Sequence, residues 1–345
     1  MRLLVTGVAG FLGTHVAEYF KDKGWDILGI DNLTDFELTR AKFNVKASRE
    51  HNLNFLKKLG ITFWKSDVRD ICSDDILKNW GKPDFIIHCA AQPAMTISIE
   101  YPTIDMDNNV CGTVNMLEIA KRLNIPFVNC SSIHIYGNGS NEGLIKKETR
   151  FGVPAGAVKE ISEHAEILRG DLTPLHVSKR ATELYTQTFA ETYKMRTASF
   201  RLTGMYGERQ FGGMDHGWVA NFAIRTKLER EITIFGTDKQ VRDILYAKDA
   251  ARAFELWFEK GKTGIYNIGG GMKTSISLKE CLDKIKEISN IEQNIKLEKA
   301  RFGDLYYFVC DYQKAKNDFG WEPKVLPGEG IKKLIKWVGE NKEIL

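Results

Sequence analysis

Residues Met1 to Gly13 read MRLLVTGVAGFLG. Arg2 to Thr6 is a short apolar run of the kind that forms a fully buried strand, and it ends in Gly7, Gly10 and Gly13 ahead of an amphipathic run, Thr14 to Lys23. The order is strand, glycine turn, helix start. Gly7 permits a tight turn, Gly10 lets backbone N–H groups approach a pyrophosphate, and Gly13 lets the helix lie close on the sheet with its N-terminus toward the negative charge. Phe11 and Leu12, between Gly10 and Gly13, belong to the same candidate cradle. A second apolar run, Trp25 to Ile30, closes on Asp31, followed by Asn32. An acid at that place bonds the adenosine ribose hydroxyls and repels a 2′-phosphate, so the expected cofactor is NAD rather than NADP.

The chain has 345 residues, which predicts two lobes at roughly 100 to 200 residues per domain. A net charge of +4, with no Lys/Arg block and no basic stripe interleaved with aromatics, argues against nucleic acid as a partner. No apolar run reaches the roughly 18 residues of a membrane span. The apolar start lacks a charged lead and cleavage site and is read as the nucleotide turn, not a signal peptide. Six cysteines, at 72, 89, 111, 130, 281 and 310, form no CxxC pair. Most fall in apolar strand or helix patterns, which reads as reduced core thiols of a cytoplasmic protein, with no metal site.

Beyond Asp31, the polar stretch Asn32 to Leu59 reads as an excursion with a short helix that folds over the adenosine of the cofactor. Ile61 to Lys65 is a third strand, and Asp67 at its carboxyl end is either an adenine contact or the cap of a helix starting near Ser73. Phe85 to Cys89 is a fourth strand, running into Ala90, Ala91 and Gln92, where small residues let the backbone pass close to a dinucleotide. A helical pattern over Tyr101 to Leu123 leads to a fifth strand, Phe127 to Cys130, and a helix over Pro174 to Tyr193 leads to a sixth, Thr197 to Leu202. Strictly alternating strands and helices give an α/β protein with a parallel, doubly wound sheet. The loop-rich stretch Asn138 to Thr173 is long enough to be functional. After Thr203 the pattern turns mixed, with a smaller α/β lobe woven from 203–240 and 269–345, leaving 1–202 and 241–268 to the nucleotide-binding domain.

The quoted residues now form a recognisable set: TGxxGxxG at Thr6 to Gly13, Asp31, Ala90-Ala91, NxxGTxN at Asn109 to Asn115, SSxxxYG at Ser131 to Gly137, and the pair Ser178-Lys179. The chain resembles the extended short-chain dehydrogenase/reductase family, in particular its nucleotide-sugar epimerases and dehydratases. Within that family AAQPAMTxSI at Ala90 to Ile99, MYGERQF at Met205 to Phe211, DHGWV up to Val219 and the insertion between Ser132 and Lys179 are similar to CDP-paratose/CDP-tyvelose 2-epimerases. The resemblance implies that Gly7, Gly10, Phe11, Leu12, Gly13, Asp31, Asn32, Asp67, Val68, Ala90, Ala91, Gln92, Asn109, Ser131 and Lys179 hold NAD. It implies that Ser132 bonds the reacting sugar hydroxyl, and that Gln92, Met95, Thr203, Gln210, Gln240 and Asp304 line the substrate site. Arg242 and Arg301 would take the diphosphate, where a planar fork suits bidentate contacts, unless each is merely a surface salt bridge. In similar proteins the helices over 101–123 and 178–193 pair in a four-helix contact, so a homodimer is expected.

One position departs from the family pattern. The active tyrosine stands four residues before the lysine, and here that residue is Leu175. Positions 175 and 179 share a helix face, so the phenol is missing from the site itself. His176 is adjacent but points about 100° away on an ideal helix and reads as surface or packing. His134 is the stronger acid/base candidate: two residues after Ser132, on the same face if the strand persists, with an imidazole that titrates near neutral pH. The expected activity is an NAD-dependent epimerisation of a nucleotide sugar. A dehydratase or other sugar modification using His134, and a non-catalytic nucleotide-sugar-binding protein, are the alternatives.

Overall fold

The computed structural model describes residues 1–34, 45–157 and 159–345. The first strand, β1 (Arg2–Thr6), passes through the glycine turn into α1 (Phe11–Asp22), followed by β2 (Asp26–Asp31), α2 (Val45–Lys58), β3 (Thr62–Lys65), α3 (Ser73–Asn79) and β4 (Phe85–His88). Two of the turn glycines are sterically required. A Cβ on Gly7, whose φ is +66°, would lie 2.8 Å from Ala90 N, and one on Gly13 would lie 2.1 Å from Gly7 O. Much of the expected excursion over the adenosine, residues 35–44, lies outside the described residues. Its second half is a helix of 14 residues, longer than its weak apolar pattern suggests.

The next helices are α4 (Met95–Glu100), the single turn α5 (Pro102–Ile104) and α6 (Gly112–Leu123), with a π-helical stretch at Asp105–Cys111 between the last two. The helical run expected from Tyr101 onward is thus widened in its middle. The wider turn coincides with Asp105 and Asn109, which are buried polar residues bonded to Gln92. Then come β5 (Phe127–Ser132), a small hairpin of β6 (Ile145–Lys146) and β7 (Phe151–Gly152) inside the long loop, α7 (Pro174–Tyr193) and β8 (Thr197–Leu202). The remainder is β9 (Gly204–Tyr206), α8 (Trp218–Lys227), β10 (Ile232–Phe235), β11 (Val241–Tyr246), α9 (Ala247–Lys260), β12 (Gly264–Ile268), β13 (Ser275–Ser277), α10 (Leu278–Ser289), β14 (Ile295–Glu298), β15 (Tyr307–Phe308), α11 (Gln313–Phe319) and α12 (Pro327–Glu340).

Seven parallel strands form the main sheet in the order β12-β8-β5-β4-β1-β2-β3. The order reverses between β1 and β4, and the crevice beyond their carboxyl ends is where such sheets bind ligands. A smaller mixed sheet is built around β11, which pairs with β9, β13 and β15. The boundary between lobes is therefore more interleaved than two separate stretches. β11 hydrogen-bonds into the small sheet, while Ala315, Phe319 and Trp321, late in the chain, pack into the core of the large one. Pieces that the sequence pattern leaves out, β9, β13, β15 and α11 among them, are short and carry little periodicity of their own.

Candidate functional site

One cavity of about 540 Å3 runs from the glycine turn to the small lobe. At its first end stand Gly7, Gly10, Phe11, Leu12, Gly13, Asp31, Asn32, Asp67 and Val68. The Asp31 carboxylate accepts from Ala9 N at 3.0 Å and Leu33 N at 2.8 Å, which ties the end of β2 to the turn. Asp67 does not cap α3, which begins six residues later. Its carboxylate accepts from Arg69 Nε at 2.8 Å and Asn32 Nδ2 at 2.9 Å, and the Arg69 fork holds it well below the usual carboxylate range. No arginine adjoins Asp31 in sequence, yet the fold brings Arg49 of α2 to the same end, where its guanidinium donates to Thr34 O.

The middle of the cavity is bordered by Ala90, Ala91, Ser131, Ser132, His134, Leu175 and Lys179. Lys179 is buried and donates to Cys130 O at 3.0 Å; burial pushes its ammonium below the ordinary lysine value. Ser131 donates to Glu183 Oε1 at 2.7 Å, and Glu183 is gripped by both arms of Arg201 at 2.9 Å. A buried, fully bonded ion pair thus braces the strand end that carries Ser132. Strand geometry ends at Ser132, so the shared strand face expected for Ser132 and His134 does not form. The Ser132 hydroxyl caps a 3-10 turn over Ile133–Tyr136, accepting from His134 N at 3.2 Å. His134 reaches the cavity nonetheless, by the turn. Burial first, then the neighbouring His176 ring and the charges of Arg242 and Lys179, drop its pKa to about 3, so the ring does not titrate near neutral pH.

His176 is not on the surface. It is buried, and its Nδ1 accepts from Thr173 N at 3.0 Å in a capping box that starts α7. Cap geometry, not the ideal helix angle, sets its direction. Gln92 and Asn109 are the two expected ligand contacts that the fold keeps off the cavity wall. Gln92 N donates to Asn109 Oδ1 at 2.7 Å, and Asn109 Nδ2 donates to Ser178 Oγ at 3.1 Å. They lash the loop after β4 to α7 from behind.

At the far end lie Met95, Thr203, Gln210, Gln240, Arg242, Arg301 and Asp304. Arg301 lies over the Phe235 ring at 3.6 Å and Arg242 donates to Val241 O at 2.8 Å. Among the described residues neither guanidinium is in a surface salt bridge, and Asp304 sits near both. Thr203 Oγ1, Gln210 Oε1 and Asn52 Oδ1 are buried cavity-wall atoms without a hydrogen-bond partner among the described residues, and such atoms are costly unless a ligand meets them. Pattern reading missed Asn52, Met205, Trp218, Phe222 and Phe235 in this wall. Asn52 sits on a helix whose spacing carries no signal, and the aromatics fall within helix and strand patterns.

The cradle of Gly7, Gly10 and Gly13, the carboxylate of Asp31 and the unmet polar atoms fit a dinucleotide at one end and an anionic ligand at the other. Comparison with known proteins agrees with that division. Residues 3–269 match the NAD dependent epimerase/dehydratase family. The CDP-paratose 2-epimerase of Salmonella typhi is 32% identical, over 98% of this chain and 99% of that protein. Among solved structures, UDP-glucose 4-epimerase of Thermotoga maritima with UDP-glucose is 27% identical with a TM-score of 0.80, covering 99% of this chain and 100% of that one. The Thermus thermophilus UDP-glucose 4-epimerase complex with NAD is 28% identical with a TM-score of 0.79, covering 98% of this chain and 99% of that one. With its glycine cradle, its parallel sheet and a family match over most of its length, the chain belongs to the NAD-dependent epimerase/dehydratase family of nucleotide-sugar enzymes.

Proposed function

We propose that the protein is an NAD-dependent nucleotide-sugar epimerase, acting on a CDP-sugar in the manner of the CDP-tyvelose 2-epimerases. The observation that carries this reading is that Ser132, His134 and Lys179 border one cavity between the glycine cradle and the Arg242–Arg301 pair. The chemistry supplied by NAD when bound is reversible hydride transfer. Gly7, Gly10 and Gly13 would cradle its pyrophosphate, Asp31 would bond the adenosine ribose, and Lys179, steadied on the Cys130 carbonyl, would help to hold it in the middle of the cavity. Ser132 keeps its own proton to donate to the sugar oxygen. His134 takes the hydroxyl proton of the reacting carbon and returns it, and Arg242 and Arg301 hold the diphosphate. A bound diphosphate also offsets the Arg242 charge that lowers the His134 pKa, which makes the ring a better base with substrate in place.

The test is incubation of the protein and NAD with CDP-, UDP-, dTDP- and GDP-sugars, followed by NMR of the sugar. Inversion at C2 of a CDP-sugar without loss of mass is expected. Loss of water would favour a dehydratase with His134 as its acid and base. Ligand retained through purification with no turnover would favour a binding protein.

A further inference from the structure

Cys89 and Cys130 stand side by side in the cavity wall, Cys89 just past the end of β4 and Cys130 within β5. Extending the parallel register His88↔Asn129 by one residue sets them opposite each other, and Cys130 Sγ donates to Cys89 Sγ at 3.6 Å. Neighbouring strands lie about 4.8 Å apart, inside the Cα–Cα window that a disulfide spans. Cys130 is buried and Cys89 half-buried, open to whatever enters the cavity. The other cysteines have no such neighbour among the described residues: Cys72 and Cys111 are exposed, Cys281 and Cys310 buried.

We propose that Cys89 and Cys130 are a redox-active pair whose oxidation by a peroxide closes a reversible disulfide in the wall of the nucleotide site. The Cys89 sulfur attacks one oxygen of hydrogen peroxide, the O–O bond breaks, and one water leaves a sulfenic acid on Cys89. Cys130 Sγ then attacks Cys89 Sγ, a second water leaves, and both thiol protons end in the two waters. Two sulfurs are oxidised and two peroxide oxygens reduced. The S–S bond of about 2.05 Å requires the 3.6 Å gap to close. That pulls on Cys130, whose carbonyl anchors Lys179, and on the residues next to it, Ser131 and Ser132 on one strand and Ala90 on the other. The neighbouring Cys130 thiol, with burial, holds the Cys89 thiol well above its ordinary value against the opposing charge of Lys179, so Cys89 is protonated at neutral pH and its oxidation quickens with rising pH.

The experiment treats the intact protein with hydrogen peroxide, alkylates the remaining free thiols, and maps peptides without reduction. A Cys89–Cys130 linked peptide is expected, lighter by two hydrogens. NAD affinity by calorimetry should weaken by about tenfold or more, and dithiothreitol should restore it. Cys89→Ser and Cys130→Ser should each abolish the reversible component of the loss, and the mapping on unmodified sequence decides the pair even where a variant does not fold. Alkylation of both residues after peroxide has oxidised Cys72 and Cys111 would overturn the proposal, as would a linked peptide with unaltered NAD affinity. The effect on affinity rests on NAD being the cofactor. Reduced protein that fails to bind NAD overturns that reading, while the linked peptide still decides whether the pair exists.

Discussion

The His134 ring meets the His176 ring edge-on, with centroids 5.6 Å apart and planes at 82°. Because Thr173 N donates to His176 Nδ1, a neutral His176 carries its proton on Nε2. Two imidazoles therefore meet beside Leu175, His176 as the next residue of the chain and His134 from the same cavity wall.

His134→Ala should lower turnover on the order of a hundredfold, the scale of a general-base contribution, with NAD binding nearly unchanged. His176→Ala should cost less turnover but about 1 kcal/mol of stability, through loss of the cap on Thr173. The sign of the pH dependence follows from the His134 pKa of about 3. Only the neutral ring accepts a proton, and it is neutral throughout the range above that value. A profile of kcat/KM should therefore be flat through the ordinary imidazole range and fall only in acid. A rise centred near the ordinary histidine value would show that His134 is not the group that titrates.

The Asp31 carboxylate is held at the glycine-turn end of the cavity by Ala9 N and Leu33 N. NAD should bind far more tightly than NADP by calorimetry, and Asp31→Ala should narrow the gap. Arg49 makes the test sharper, since it lines the same end and is engaged with Thr34 O. If Arg49 instead turns to a 2′-phosphate, NADP will bind comparably and Arg49→Ala will weaken it selectively.

Much of this was legible in advance because local rules and global fold agree there. Gly7, Gly10 and Gly13 are dictated by atoms within a few ångströms, and α7 and β8 fall on the residues their periodicity marks. Features set by tertiary partners were not legible. Ser132 ends its strand because its hydroxyl caps the following turn, and His176 turns back to Thr173 for the same kind of reason. Gln92 and Asn109 satisfy each other behind the wall, and β11 joins a sheet whose other strands come from far along the chain. None of these is a periodicity.

The two faces of α7 differ. Leu175, Lys179, Thr182, Thr186 and Phe189 are buried, whereas Val177, Leu184 and Tyr185 are 56%, 48% and 44% exposed, and Met106 on the neighbouring helical run is 59% exposed. An apolar stripe of this kind on adjacent helices suits a second copy of the chain. Light scattering at micromolar concentration should give a dimer, and Leu184→Glu should give a folded monomer. A monomeric parent protein would count against the pairing.

Leu175 is 1% exposed, borders the cavity and stands one turn before Lys179. Its backbone N–H donates to Ser98 Oγ at 3.2 Å, so the helix start is fixed and a larger side chain there has the cavity to grow into. Leu175→Tyr would place a phenol beside a buried ammonium, whose charge lowers the phenol pKa and makes it a proton acceptor. In the His134→Ala background this change should recover at least about tenfold of the lost turnover, well within the range of one general base. Misfit would show first as a lower melting temperature, since overpacking typically costs about 1–3 kcal/mol. A well-folded double variant with no recovery would mean that residue 175 is not the vacant proton-transfer position, and that His134 does more than replace a tyrosine.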